Sequence, residues 1–236
     1  NQLNERYFST PEARQLFNRY ATYNGSNPYK APGMLSLIPH LEQNLGTFYP
    51  IGGMISITNA LHKLAEKKGA RFYFNSPVER IIHHEGKIRG VVVNGENLTA
   101  DLVVSNNDVY FTYKHLLNHS LKAGKVLKHE RSSSALIFYW GIKQSLPRLH
   151  LHNIFFSNNY PQEFDHIFNK GELYTDPTVY INITSKMEKG HAPEGCENWF
   201  VMVNAPANTG QNWEELRNRA RSQVIDKINR MLGIDI

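Results

Sequence analysis

The chain has 236 residues, 41% hydrophobic and 20% charged, which suits one or two globular domains with a sizeable core. No apolar run approaches the roughly 20 residues that a membrane-spanning helix needs. The single cysteine, Cys196, excludes an internal disulfide and fits a reducing compartment; a net charge of +5 and a pI near 9.2 describe a mildly basic surface, able to meet an anionic membrane or ligand.

Residues 10–22 place Leu16, Phe17 and Tyr20 at helical spacing behind Thr10 and Pro11, an N-cap followed by a favoured first helical residue. "YNGSNPYKAPG", Tyr23 to Gly33, is a loop. "MLSLIPHLEQNLG" is a helix interrupted at Pro39. Met54, Ile57, Leu61, Leu64 and Ala65 form one apolar face of the next helix, which ends on Lys67, Lys68 and a left-handed Gly69. "ARFYF" reads as a strand, as do "VERIIHH" and "IRGVVV", and Asn94-Gly95 is a strong hairpin signal. Leu102-Val103-Val104 reads as a short buried strand whose carboxyl end, Ser105–Asp108, faces a crevice.

Residues 109–119 follow as a helix. "SSALIFYWGI" (133–142) and "NIFFS" are strands, and "YPQEFDHIFNKG" is a helix capped by Gly171. "TVYINIT" (178–184) alternates as a half-buried strand does, and "NWFVMVNAP" (198–206) is a strand stopped by Pro206. Trp213, Leu216, Ala220, Val224, Ile228 and Met231 mark one face of a long closing helix. The pattern predicts an α/β (α+β mixed) protein: a β-α-β unit with a meander, then a mixed β-sheet flanked by helices.

No stretch completes a catalytic constellation. Gly52-Gly53 opens a helix, but the third glycine of a dinucleotide fingerprint is missing and "FYP" is a poor strand, so a tight turn is the local reading. His115 and His119 are four apart, yet Leu116 stands where a zinc-protease helix has glutamate, and no third ligand appears. Cys196 lies in a turn without a nucleophile signature, and no G-x-S-x-G occurs. Arg217, Arg219, Arg221, Lys227 and Arg230 make the last helix basic. Glu214, Glu215 and Asp226 share it without any stacking motif, so it reads as a solvated face and not a nucleic-acid surface.

Several stretches, taken in order, resemble one family. "YNGSNPYKAPGMLSLIPHLEQNLGTFYPIGGM" carries the "FYPxGGM" element of bacterial-type phytoene desaturases and related carotenoid oxidoreductases. "GARFYFNSPVERI" and "GVVVNGENLTADLVVSNND" are similar to the strands that follow it. "HNIFFSNNYPQEFDHIFNKGELYTDPTVYINITSKMEKGHAPEGCENWFVMVNAP" is similar to a later block with "HNIxFS", "DPTxY" and "APxGxENxFV". The resemblance implies an FAD-dependent oxidoreductase of the amine-oxidase-like superfamily, which dehydrogenates, isomerises or saturates a long polyene or other apolar lipid. It implies a cytoplasmic enzyme, membrane-peripheral, with no nucleic-acid partner.

The strand–glycine-loop–helix that holds the pyrophosphate, and a glycine-rich segment beside the flavin, have no counterpart in these 236 residues. The resemblance therefore implies an internal fragment, inactive alone and poor at holding FAD. It would comprise substrate-domain helices (1–48), a partial FAD-domain excursion (49–108) and a substrate-binding domain (109–236). Carried over by motif, Gly52, Gly53 and Met54 lie near the flavin and the substrate tunnel. Val78 meets the adenine end, and Asn106 and Asp108 point toward the cofactor cleft; no catalytic residue is assigned and no metal is expected. Two other readings remain: a non-catalytic lipid- or partner-binding module of the same fold, and another flavin amine-oxidase-like or retinol-saturase-like enzyme.

Overall fold

Along Glu197–Ala205, burial alternates without a break, Trp199, Val201, Val203 and Ala205 being closed to solvent while their neighbours stay half open. A strand presents alternate side chains to opposite faces, so this pattern needs a cover on one face only. The cover is the closing helix Trp213–Leu232, whose Ala220, Val224 and Ile228 join the same core. The computed structural model describes all 236 residues. They divide into two compact units, Asn1–Asn59 with Ser132–Ile236, and Ala60–Arg131.

In chain order the elements are α1 (Gln2–Tyr7), α2 (Pro11–Asn18), α3 (Leu37–Leu45), α4 (Ile55–Lys67), β1 (Val78–His84), β2 (Lys87–Val93) and β3 (Glu96–Thr99). There follow α5 (Val109–Phe111), α6 (Ser120–Val126), β4 (Ser134–Ile142), β5 (His152–Phe155), α7 (Tyr160–Asp165), β6 (Val179–Asn182), β7 (Glu197–Ala205) and α8 (Trp213–Leu232). The larger unit holds a sheet in the order β4-β7-β6-β5. Its long pair runs in unbroken register from Ser134 opposite Ala205 to Ile142 opposite Glu197. The smaller unit holds the meander β1-β2-β3. Asn94 (φ 50°) and Gly95 (φ 77°) form its β2–β3 turn, both in the left-handed region that the tightest hairpins require. At Gly90 (φ 144°) a Cβ would strike the Leu98 carbonyl oxygen, so only glycine lets β3 approach there.

The mixed α/β class holds, with corrections inside it. The expected mixed sheet is antiparallel at every pairing; the helix-bearing connection from β5 to β6 returns the chain antiparallel instead of making a parallel crossover. The expected β-α-β unit lacks its flanking strands. "ARFYF" and Leu102–Val104 form no ladder, because strand propensity needs a neighbour to pair with. Pro39 does not interrupt α3. It sits in the first turn, where its missing N–H would have no helical partner anyway. The helix at 109 widens into a π turn at Thr112–Leu116 and stops; His119 instead caps α6, its Nδ1 accepting from Lys122 N–H. His115 and His119 therefore share no helix face, and no cluster of metal-ligating side chains exists.

Candidate functional site

The turn before α4 is built for close approach. Gly53 N–H donates to Pro50 O at 2.9 Å, which places Gly52 (φ 82°) at the third position of a β-turn that demands positive φ. Gly52 N–H donates to Glu188 Oε1 at 2.6 Å. Both amides of the glycine pair are thus occupied, one of them by a carboxylate, and neither remains for a phosphate. Gly53 is buried beside Tyr49, and a Cβ there would lie 3.4 Å from the Tyr49 hydroxyl, an oxygen that is itself buried without a partner. Met54 stands exposed at the start of α4.

In the Ala60–Arg131 unit, Val78 and Asn106 do come together. They line one groove of about 300 Å³ with Ile81, Val91, Val103 and Val104. Its walls are aliphatic and its polar end is Ser105–Asn107. Asp108 is engaged differently: its carboxylate accepts from Tyr110 N–H at 2.8 Å and caps the short helix α5. Glu79 is also used within the fold, accepting from Gly95 N–H at the hairpin turn.

Sequence reasoning missed a cavity larger than that groove. Register pairs His152 with Asn182, Ile154 with Tyr180, and Tyr180 with Met202. These side chains, with Asn204, form the face of the four-stranded sheet opposite the α8 core. Arg19, Thr22, Tyr23, Glu42 and Thr47 form the opposing wall, and Tyr160 and Thr178 complete a cavity of about 760 Å³. The lining is scattered from residue 19 to residue 204. Its one local signal was the alternation over 178–184, which says that a second face exists but not what it meets.

The wall is polar at defined points. Tyr20 and Tyr23 stack at 5.7 Å between ring centroids and donate to the two oxygens of Glu42, both at 2.8 Å. Burial, and then Glu42, raises both phenols. The Arg19 guanidinium lies over both rings, at 5.2 and 5.6 Å. His152 Nδ1 is 2.8 Å from the Tyr180 hydroxyl. Burial, and secondly Arg19, lowers the His152 pKa, so its imidazole is neutral at physiological pH.

Behind the cavity, Glu163 is fully buried; its oxygens accept from Thr178 N–H at 3.0 Å and from the Thr178 hydroxyl at 2.6 Å. Burial outweighs those bonds and pushes its carboxyl up to about 7. Glu197, at the head of β7, behaves oppositely. Burial alone would raise it, but bonds from Lys186, Leu146 N–H and Trp199 Nε1 together hold it below the usual glutamate range.

This geometry can hold an extended apolar molecule on a pleated surface and contact it at a few polar points, a common design for ligand cavities. The chain is 56% identical over 229 residues to a 1-hydroxycarotenoid 3,4-desaturase of Flavobacterium sp. (strain P99-3), covering 97% of this chain and 47% of the relative. It is 31% identical to a phytoene desaturase of Fusarium fujikuroi, covering 98% of this chain and 45% of that one. It is 35% identical to a zeta-carotene-forming phytoene desaturase of Myxococcus xanthus, with 85% and 39% covered. The chain thus spans about half or less of the length of these relatives. The fold matches the crystal structure of an oxidoreductase from Methanosarcina mazei with a TM-score of 0.64 at 14% identity, over 98% of this chain and 52% of that one. A sequence model described as "Flavin containing amine oxidoreductase" matches residues 1–137, more than half the chain, and the protein belongs to that family.

Proposed function

We propose that this chain is the substrate-side portion of an FAD-dependent carotenoid desaturase, acting on a long polyene that bears a hydroxyl near one end. The observation that carries the reading is the 760 Å³ cavity laid along the open face of an antiparallel sheet. The 56% identity to a protein named for a 1-hydroxycarotenoid supports the substrate class.

Taken unit by unit, each carries residues suited to a part of a flavin dinucleotide. Gly52, Gly53 and Met54 would approach its ring, where the buried Tyr49 hydroxyl has no partner in the fold. Val78 and Asn106 would meet the adenine end in an aliphatic groove suited to a planar base. Asp108, whose carboxylate caps α5, would support that groove without touching the cofactor. FAD, when bound, would supply the hydride acceptor for the saturated carbon pair. The protein's share is to align the polyene along β5, β6 and β7 and to keep water from it.

A peripheral membrane contact on the cytoplasmic side belongs to the same proposal. No helix is long and apolar enough to cross a membrane. Leu37, Leu41 and Leu45 leave one side of α3 uncovered, Met34 in the turn before it is exposed as well, and Phe48 and Ile51 are 84% and 93% exposed.

The full-length protein, expressed from its natural reading frame, should carry a flavin absorbance band. It should red-shift the spectrum of a hydroxylated polyene as a double bond is added, and sediment with anionic vesicles. A protein that stays colourless after FAD is added would sink the flavoenzyme reading and favour a non-catalytic lipid-binding module.

A further inference from the structure

We propose that His152, on the cavity face of the four-stranded sheet, is a fixed hydrogen-bond donor that selects polyenes carrying an oxygen, alcohol or ether alike, by using that oxygen as an acceptor. The inference rests on the polyene reading above and deepens it, naming the group that makes the choice and the property of the ligand that it senses.

Register puts His152 on β5 directly opposite Asn182 on β6, with Tyr180 two residues away on the same face. His152 and Tyr180 both line the cavity, and His152 is exposed. Two groups meet its Nδ1: the Tyr180 hydroxyl at 2.8 Å and the Asn182 amide nitrogen at 3.2 Å. The same amide nitrogen donates to Leu151 O at 3.0 Å, which fixes the way the amide faces. An amide nitrogen only donates, so a hydrogen on Nδ1 would set donor against donor. Asn182 also bonds the Tyr180 oxygen, which leaves the Tyr180 hydrogen for Nδ1. Burial, and secondly Arg19, keep the imidazole neutral against the weaker pull of Glu42. A neutral ring with a bare Nδ1 carries its one hydrogen on Nε2. Nε2 lies on the other edge of the ring and holds no hydrogen bond within the fold.

A lone donor in an apolar slot sorts ligands by what they can accept. A hydrocarbon strips water from Nε2–H and offers nothing in return. An ammonium is itself only a donor. An anion meets the Glu42 carboxylate across the cavity, and the one cation of the lining, Arg19, already lies over the Tyr20 and Tyr23 rings. A neutral oxygen accepts without a charge penalty. An ether does so as a hydroxyl does, because the bond uses only a lone pair. Ile154 and Met202, on the same face of the sheet, supply the bed for the apolar chain.

The test uses the full-length, FAD-loaded protein and three polyenes that differ only at one end: a hydrocarbon, its alcohol and its methyl ether. Binding is followed by quenching of tryptophan fluorescence. Alcohol and ether should each bind about 2- to 10-fold more tightly than the hydrocarbon, the range for a hydrogen bond between neutral partners. His152→Phe should abolish that preference. Nitrogen NMR of the histidine-labelled wild type reads the donor directly. The His152 signals, identified by their loss in His152→Phe or His152→Gln, should show the proton on Nε2 and should shift on adding alcohol or ether but not hydrocarbon. A proton on Nδ1, a preference for the alcohol that the ether does not share, or a preference that survives His152→Phe overturns the proposal. So does equal affinity of the wild type for all three, the result expected if His152 only stiffens the β5–β6 ladder. Binding of none of the three removes the polyene reading as well. Oxygen-selective binding without any oxidation leaves His152 its role and removes the desaturase reading instead.

Discussion

The sheet β4-β7-β6-β5 buries most of one face, whereas the meander β1-β2-β3 buries little beyond Ile81 and Val92. Both are antiparallel, although the β1–β2 ladder shifts register at Val78/Arg80 and Ile82/His83 where the β4–β7 ladder runs unbroken. The difference lies in the cover. α8 seals the larger sheet with Ala220, Val224 and Ile228, while every residue of β3 is exposed, and Leu102 and Val104 beyond it are 76% and 85% exposed. Hydrogen-bonded pairing makes a sheet; a helix or second layer laid on it makes a core. The larger unit therefore carries its own stability, and the smaller one leaves apolar surface without a cover of its own.

The sharpest way to break this contrast is Trp199→Ala. Trp199 is fully buried under α8 and donates to Glu197. Its loss should cost about 3–5 kcal/mol. By hydrogen exchange, β4, β6 and β7 should lose protection while β1–β3 amides keep theirs; an equal loss in the meander would show one cooperative unit in place of two.

Glu163→Gln sharpens the contrast from within the larger unit. The Glu163 carboxyl titrates near 7 in the fold and at 4.5 when unperturbed. A raised carboxylate pKa means that the folded state holds the proton longer, so stability is greatest below about pH 4.5 and falls as pH rises toward about 7. That fall amounts to about 3 kcal/mol. Thermal midpoints across this window should decline for the wild type and stay flatter for Glu163→Gln; parallel curves would refute the assignment.

The smallest effect belongs to the smaller unit. Asp108→Ala should cost about 1 kcal/mol by removing a helix cap. Exchange should quicken locally around Tyr110, with the flavin content of the full-length protein unchanged. A large drop in flavin would restore Asp108 as a cofactor ligand.

Legibility followed the same division. The alternation of β6, the strand β7, the aromatic run of β4, the caps at Thr10 and Gly171 and the Asn94-Gly95 turn were all readable, because each is encoded by neighbours in sequence. Phe72–Phe74 misled. A β-prone run pairs only if another strand lies beside it, and here the His62 ring packs on Phe72 at 4.1 Å between centroids, tilted by 49°, instead. The Gly52-Gly53 turn was legible as a turn, but the carboxylate that occupies its amide comes from Glu188. Nor does any local pattern announce that Arg19, His152, Tyr180 and Asn204 line one cavity, since tertiary folding alone assembles them.

Alternation along β7 gives neighbouring positions different masters. Trp199, Val201 and Val203 answer to the packing under α8, while Met202 and Asn204 answer to whatever lies in the cavity. A one-residue insertion would swap the two sets and ruin both. Substitution on either set alone leaves the other undisturbed. Within nine consecutive residues, the cavity lining can drift under selection, or be redesigned in the laboratory, with little change to the packed core. A lineage of enzymes could diversify on this sheet by editing every second letter of one strand.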